Sequence, residues 1–220
     1  VILFDYFKGT LPEFPAGKPL FIFASHFHAD HYAPVIFQLG EKRENVFYIL
    51  SKEIGKKIPE EYRKRYKDRI RLVKAGERFC LNSSEESLIV ETFHSTDEGV
   101  AFWLSCEGKE IYHAGDLNNW WWEGEDMAWN RNMAASYKQE MKKLSGRTAD
   151  LAFIPVDPRQ EQWFYLGAAG FMEQADTKWI FPMHFWEDYT IIPKLIEHPS
   201  SEGWRDRIVE IHEEGEEFIR

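Results

Sequence analysis

Three features of the sequence predict an α/β domain with sheets and helices packed in layers. Short apolar runs rich in aromatic and β-branched residues recur along the chain, and helical patterns fall between several of them. One run, Leu20-Phe21-Ile22-Phe23-Ala24, is continuously apolar, as a strand covered on both faces should be. The chain's 220 residues suit one compact domain, spanning 1–220.

In chain order, strands are expected at 2–7, 20–24, 46–50, 70–73, 87–93, 100–105, 110–113, 151–155, 178–182 and 207–211. Their spacing is uneven, and helices are expected at 30–39, 59–67, 125–144, 166–175 and 190–197. The fully apolar run 20–24 should be central. Run 100–105 alternates imperfectly, but Glu107-Gly108-Lys109 supplies a turn that joins it to 110–113 as a hairpin. The basic stretch Arg63-Lys64-Arg65-Tyr66-Lys67 is flanked by Glu60, Glu61 and Asp68 and reads as a solvated helix face.

Composition narrows the function. With 44% apolar residues and 17 Phe, 9 Trp and 9 Tyr, the chain has ample material for a core. The formal charge of −10, from 37 acidic and 27 basic residues, disfavours nucleic acid and anionic membranes as partners. Bound divalent cations would reverse that sign locally, so a small anionic substrate remains compatible with the surface. Cys80 and Cys106 are too few for a disulfide scaffold. No apolar run is long enough for a membrane span, and Val1-Ile2-Leu3-Phe4-Asp5 lacks the basic start of a signal peptide, which makes a cytoplasmic location the expectation. The chain also begins without Met, as it would if N-terminal residues were missing.

The most informative segment, Ser25-His26-Phe27-His28-Ala29-Asp30-His31, directly follows the buried strand 20–24. In extended backbone, residues two apart project the same way, so His26 and His28 can present imidazoles to one point. Asp30 and His31, where the chain turns toward a helix, can serve a second. A single histidine at a strand end is usually a packing or surface residue. Three histidines and a carboxylate side by side are not explained that way, because desolvating them together without a cation would cost several kcal/mol. Imidazole with carboxylate suits zinc, manganese or iron better than copper(I) or an iron–sulfur cluster. Further ligands should lie beyond other strand ends, where His94, Asp116 and His184 follow apolar runs.

The segment His26–His31 resembles the His-x-His-x-Asp-His motif of the metallo-β-lactamase superfamily, and His94, Asp116 and His184 occur in the order of its later metal motifs. The resemblance extends from about residue 2 to 212. Asp150-Leu151-Ala152-Phe153-Ile154-Pro155-Val156 and Lys178-Trp179-Ile180-Phe181-Pro182-Met183-His184 resemble the branch containing ascorbate-6-phosphate lactonase and N-acyl-phosphatidylethanolamine phospholipase D. The resemblance implies a four-layered αββα sandwich (metallo-β-lactamase fold) with a two-metal site at one edge of its sheets. It implies His26, His28 and His94 on the first metal, Asp30, His31 and His184 on the second, and Asp116 between them. Two divalent metal ions are the implied cofactors, zinc first, with manganese or iron also suited to the donors. The implied activity is a metal-dependent hydrolase in which a metal-bridged hydroxide attacks an ester-type bond of a small-molecule substrate, phosphodiester or lactone ahead of β-lactam. Asp30 and Asp116 are the expected catalytic residues. These 220 residues hold no long additional domain of the kind nucleic-acid-cleaving members carry, which with the acidic charge makes a nuclease the less expected reading.

Around this site, His113 is expected either to hydrogen-bond a ligand or simply to pack. Asp157 and Arg159, after strand 151–155, either reach the cleft, where Arg159 would meet a substrate anion, or form a surface ion pair. Trp120, Trp121 and Trp122 cannot all enter one core, so at least one should line a cleft or a subunit contact of a homo-oligomer. Tyr165 is expected to donate to the reacting group or to pack in the core. Two further readings remain: a di-iron redox protein on the same fold, against which His28 argues because redox members usually carry a carboxylate there, and a metal-stabilised, non-catalytic binding protein.

Overall fold

The computed structural model describes residues 1–15, 17–82 and 87–219. Strands β1 (Ile2–Phe4), β2 (Leu20–Ala24), β3 (Val46–Ser51) and β4 (Ile70–Val73) form a parallel sheet in the order β1-β2-β3-β4. Strands β5 (Arg78–Asn82), β6 (Ser87–His94), β7 (Val100–Cys106), β8 (Lys109–His113), β9 (Thr148–Pro155) and β10 (Asp176–Met183) form a mixed sheet in the order β10-β9-β8-β7-β6-β5. It is antiparallel from β5 to β8 and parallel from β8 to β10. Helices α1 (Ile36–Glu41) and α2 (Glu60–Arg65) belong to the first half, and α3 (Met127–Met141), α4 (Leu166–Met172) and α5 (Ile191–Glu197) to the second.

The period-2 alternation of strand side chains sorts the core into layers. On β2, Leu20, Ile22 and Ala24 pack with Ile36 and Phe37 of α1 and with Tyr66, whereas Phe21 and Phe23 face the other sheet. On β7, Phe102 and Leu104 meet them between the sheets, while Ala101 and Trp103 join the helix-side core containing Tyr137, Phe171 and Leu195. Both strands are therefore apolar on both faces, which explains the continuous run at 20–24 and the imperfect alternation at 100–105. The result is the expected four-layered αββα sandwich.

Glu107 and Gly108, both with positive φ, make the two-residue β7–β8 turn between paired Cys106 and Lys109. Strand β5 was not predicted: it lies at the sheet edge, and only Phe79 and Leu81 on it are apolar and partly buried, so its signal is thin. The strand expected at 207–211 is not formed. Ile208 makes a single bridge to Ile180 and Val209 N–H donates to the Ile180 carbonyl at 2.8 Å, after which the chain leaves the sheet edge. The first helix begins at Ile36 rather than near residue 30, because residues 28–32 form a separate turn in which the amides of His31 and Tyr32 both donate to the His28 carbonyl. Among the described residues no helix is long and apolar enough to cross a membrane.

The parallel strands β1, β2, β8, β9 and β10 end at one edge of the sandwich, followed by Asp5, His26, Asp116, Asp157 and His184. The sheets are tied there by the Val100 amide, which donates to the Ser25 carbonyl at 3.0 Å. Glycine is required at two positions of this junction. A Cβ on Gly99 (φ +73°) would stand 2.0 Å from the Ser25 carbonyl oxygen, and one on Gly115 (φ +52°) 2.6 Å from Ser25 Cβ.

Candidate metal centre

Two donor groups lie side by side at this edge. In the first, His26, His28 and Asp116 offer ligand atoms all within 4.8 Å of one another; in the second, Asp30, His31 and His184 do the same. Asp116 faces both. Its Oδ2 is 3.4 Å from His26 Nε2, while its Oδ1 is 3.2 Å from His31 Nε2 and 3.5 Å from His184 Nε2. Asp30 Oδ2 lies 3.5 Å from both His31 Nε2 and His184 Nε2.

These separations test whether the residues fit a cation. Donors bound at about 2.0–2.1 Å lie about 3.3 Å apart in a tetrahedron and about 2.9 Å apart at the right angles of an octahedron. The second group matches the tetrahedral edge. Moreover, His31 Nε2 and Asp116 Oδ1 are buried without a hydrogen-bond partner, although buried polar atoms nearly always have one. A divalent cation between them would satisfy both, so the donor set fits one.

In His26, His31 and His184 the other ring nitrogen is already engaged, which leaves Nε2 to ligate, whereas His28 turns its Nδ1 to the group, 2.9 Å from His26 Nε2. His31 Nδ1 lies 2.7 Å from Asp5 Oδ2, and His184 Nδ1 lies 2.9 Å from Asp157 Oδ2. His26 Nδ1 lies 3.0 Å from Ser25 Oγ, whose hydroxyl donates to Asp5 Oδ2 at 2.7 Å. Asp5 thus orients His31 directly and His26 through Ser25, and Asp157 orients His184, as carboxylates commonly do behind metal-binding imidazoles. Arg159 grips both Asp157 oxygens from Nε at 3.0 Å and Oδ2 again from Nη2 at 2.5 Å. Asp5 (φ 44°) and His184 (φ 65°) hold left-handed backbone conformations rare for non-glycine residues, which clusters strain at the site.

The electrostatics favour positive charge. Burial opposes charging His31, yet Asp5, Asp116 and Asp30 around it push its pKa up to about 12. Burial, with the neighbouring His31 charge, brings His26 down to about 4 and leaves it a neutral donor. Burial would raise Asp5, but His113 and His31 outweigh it and bring the carboxyl down to about 2. For Asp157, burial is likewise overcome by hydrogen bonds from His184 and Arg159, which bring it to about 2. Asp30 is held well below the ordinary carboxylate range, chiefly by its close approach to His31.

The donors open onto a cleft of about 430 Å³ that Trp120, Trp122, Trp129, Trp186 and Arg159 also line. Trp120 and Trp122 stack with their rings 5.6 Å apart and 5° from parallel, and Trp120 N–H donates to the Asp116 carbonyl. Trp121 turns the other way, onto Trp163, so the three adjacent indoles divide between two surfaces. The Arg159 guanidinium sits 4.5 Å from the centre of the Trp186 ring. On their far side, Asp30, His184 and Trp186 also border an apolar cavity of about 810 Å³.

Of the sequence-predicted residues, His26, His28, Asp30, His31, Asp116 and His184 converge, and Trp120 and Arg159 reach the cleft. His94 does not converge. It is exposed and lines a separate cavity with Ser51, Lys52, Glu53 and Lys74, because β6 ends on the far side of Gly99 from the donors. Asp157 is fully buried behind His184 and has no exposure to a substrate. His113 also lies behind the donors: its ring stacks on Phe4 at 4.4 Å, its Nδ1 accepts from the Gly115 amide, and its Nε2 is 3.9 Å from Asp5. Tyr165 stacks on His198 at 4.0 Å and is not among the residues lining the cleft. Sequence reasoning missed Asp5, Ser25 and Asp97. Asp5 falls inside the strand expected at 2–7, and only because β1 stops at Phe4 does it stand just past a strand end; Asp97, three residues past His94, lines the cleft.

No family model and no curated protein matches the sequence. Among solved structures, the diiron β-hydroxylase CmlA from Streptomyces venezuelae is similar at 12% identity and a TM-score of 0.52, over 88% of this chain and 43% of that one. This chain therefore spans less than half the length of that protein. The short form of human tRNase Z aligns at 14% identity and a TM-score of 0.43, over 76% of this chain and 72% of that one. The metallo-β-lactamase-fold protein YhfI from Bacillus subtilis aligns at 10% identity and a TM-score of 0.40, over 75% and 64%. The likeness is one of fold, the layered αββα arrangement of two sheets between helices.

Proposed function

We propose that this chain is a metal-dependent hydrolase that cleaves an ester-type bond of a small molecule, with a phosphodiester or lactone favoured. The observation that carries this reading is the shared carboxylate: Asp116 turns one oxygen to each of two donor groups, beside an open cleft. Two divalent cations held there, by His26, His28 and Asp116 and by Asp30, His31, His184 and Asp116, would acidify water at neutral pH and offset negative charge developing on a substrate.

The protein's own residues supply the rest. Asp30 stands between His31, His184 and the cleft, with its side chain 28% exposed, where it can accept a hydrogen bond from an attacking water and orient it. Asp5 and Asp157 fix the imidazoles, and Asp116 fixes the separation of the two groups. The indoles of Trp120, Trp122, Trp129 and Trp186 offer flat apolar walls, and Arg159, anchored by Asp157, offers a cation to an anionic substrate group. An enclosed structural site would lack this opening, so the cleft supports catalysis over a purely structural role. The preference for phosphodiesters or lactones rests on the narrower sequence resemblance to lactonase and phospholipase D proteins.

A panel of model phosphodiesters, lactones and carboxylic esters, assayed with added manganese and with added zinc, tests the reading. Turnover of at least one class should appear with metal, disappear on chelation, and be abolished in Asp30→Ala. Equal turnover in Asp30→Ala, or turnover indifferent to chelation, would reject it. Carboxylate-rich donors also suit iron, and the similar CmlA structure is described as diiron, which supports a redox protein as the second reading. Bound-metal analysis and a visible absorption band separate the two.

A further inference from the structure

We infer that Asp97, and not His94, is the remaining protein donor of the first cation site, so that the centre comprises the three carboxylates Asp30, Asp97 and Asp116 and the four imidazoles His26, His28, His31 and His184. The inference rests on the binuclear reading above and names a ligand that neither donor group contains.

His94 is placed where it cannot serve. It pairs with Val100 at the end of β6, and its backbone amide donates to Glu140 Oε2 at 3.2 Å. Its cavity and the indole-lined cleft share no lining residue. Gly99 stands between them, packed so tightly on Ser25 and His26 that an added Cβ would meet the His26 Cβ at 2.6 Å.

Asp97 is on the correct side. Its Oδ2 lies 3.9 Å from His28 Nδ1, and it lines the cleft with His28, Asp30 and Asp116. The loop that carries it is anchored: the Asp97 amide donates to Ser95 Oγ at 3.1 Å, and Thr96 Oγ1 donates to the Asn118 carbonyl at 2.5 Å while accepting from the Asn118 amide at 3.0 Å. These bonds hold the loop against the segment that carries Asp116. The carboxylate, at the end of a two-torsion side chain, needs only a change of rotamer to close on a cation between His26 and His28.

The chemistry is consistent with a third carboxylate. The first group supplies two imidazoles and one oxygen of Asp116, which leaves room for a further protein donor beside a water on a five-coordinate ion. A carboxylate fills it with a hard oxygen, and three carboxylates nearly balance two divalent cations. The exchange of imidazole for oxygen moves the site's preference toward manganese and iron relative to zinc.

The test uses the full chain with manganese and zinc as separate probes, reading bound metal per chain and binding isotherms in wild type, Asp97→Ala, Asp97→Asn and His94→Ala. Wild type and His94→Ala should each bind two cations with the same affinities. Asp97→Ala should lose one, or bind it more weakly by about tenfold or more, with manganese affected more than zinc. Asp97→Asn, which keeps the side chain's size, should show the same loss with an unchanged thermal unfolding midpoint in the metal-free protein. Two cations at wild-type affinity in both Asp97 variants, or loss of one in His94→Ala, would overturn the assignment while leaving the binuclear reading intact. A wild-type chain that binds no cation would sink both.

Discussion

Around the second donor group every imidazole is braced by a buried carboxylate, His31 by Asp5 and His184 by Asp157, and their side chains are only 6% and 7% exposed. Around the first group only His26 is braced, through Ser25, while the side chains of His28 and Asp97 are 40% and 48% exposed. The difference is one of preorganisation. Ordering a long exposed imidazole or a half-exposed carboxylate costs side-chain entropy when a cation arrives, whereas the second group has met that cost on folding. The second site should therefore fill first, and the first site, nearer solvent, should exchange its cation more readily.

Removing the residue common to both halves should have the largest effect. Asp116→Ala should reduce turnover by on the order of 10³-fold and lower bound metal at both sites; metal analysis showing a loss confined to one site would mean that the halves are not joined through this carboxylate. Next, Asp157→Asn should weaken the second site by about 10–100-fold without changing the first, while Asp5→Asn should weaken both because Asp5 serves His31 and His26 alike. Identical isotherms for these two variants would break the distinction between the halves. Gly99→Ala, which drives a Cβ into the Ser25 carbonyl, should lower unfolding stability by about 1–3 kcal/mol in denaturant titration. The smallest effect is expected from Trp122→Ala, a severalfold rise in KM with metal content unchanged, which would separate the cleft wall from the cation centre.

Much of this was legible in the sequence because it follows from local periodicity. The apolar run before His26 is a strand buried on both faces, and alternation in extended chain does bring His26 and His28 to one side. Asp116 and His184 were found because each stands just past a strand end. The same rule failed at His94, since the sequence does not say on which side of the Gly99 junction the end of β6 falls, and the functional side chain there comes from the following loop. Asp157 forms the expected ion pair with Arg159, but its carboxylate is buried and also holds His184 instead of reaching the cleft, which sequence proximity does not reveal. The edge strand β5 stayed hidden because only one of its faces carries apolar residues.

The order in which the halves fill can be read directly by diffraction from crystals soaked with less than one equivalent of manganese, using anomalous scattering to place the ion. The expected result is a peak among Asp30, His31, His184 and Asp116, with a second peak near His26, His28 and Asp97 only at higher equivalents. A first peak beside His28, or ions elsewhere on the surface with the shared carboxylate bare, would contradict the account.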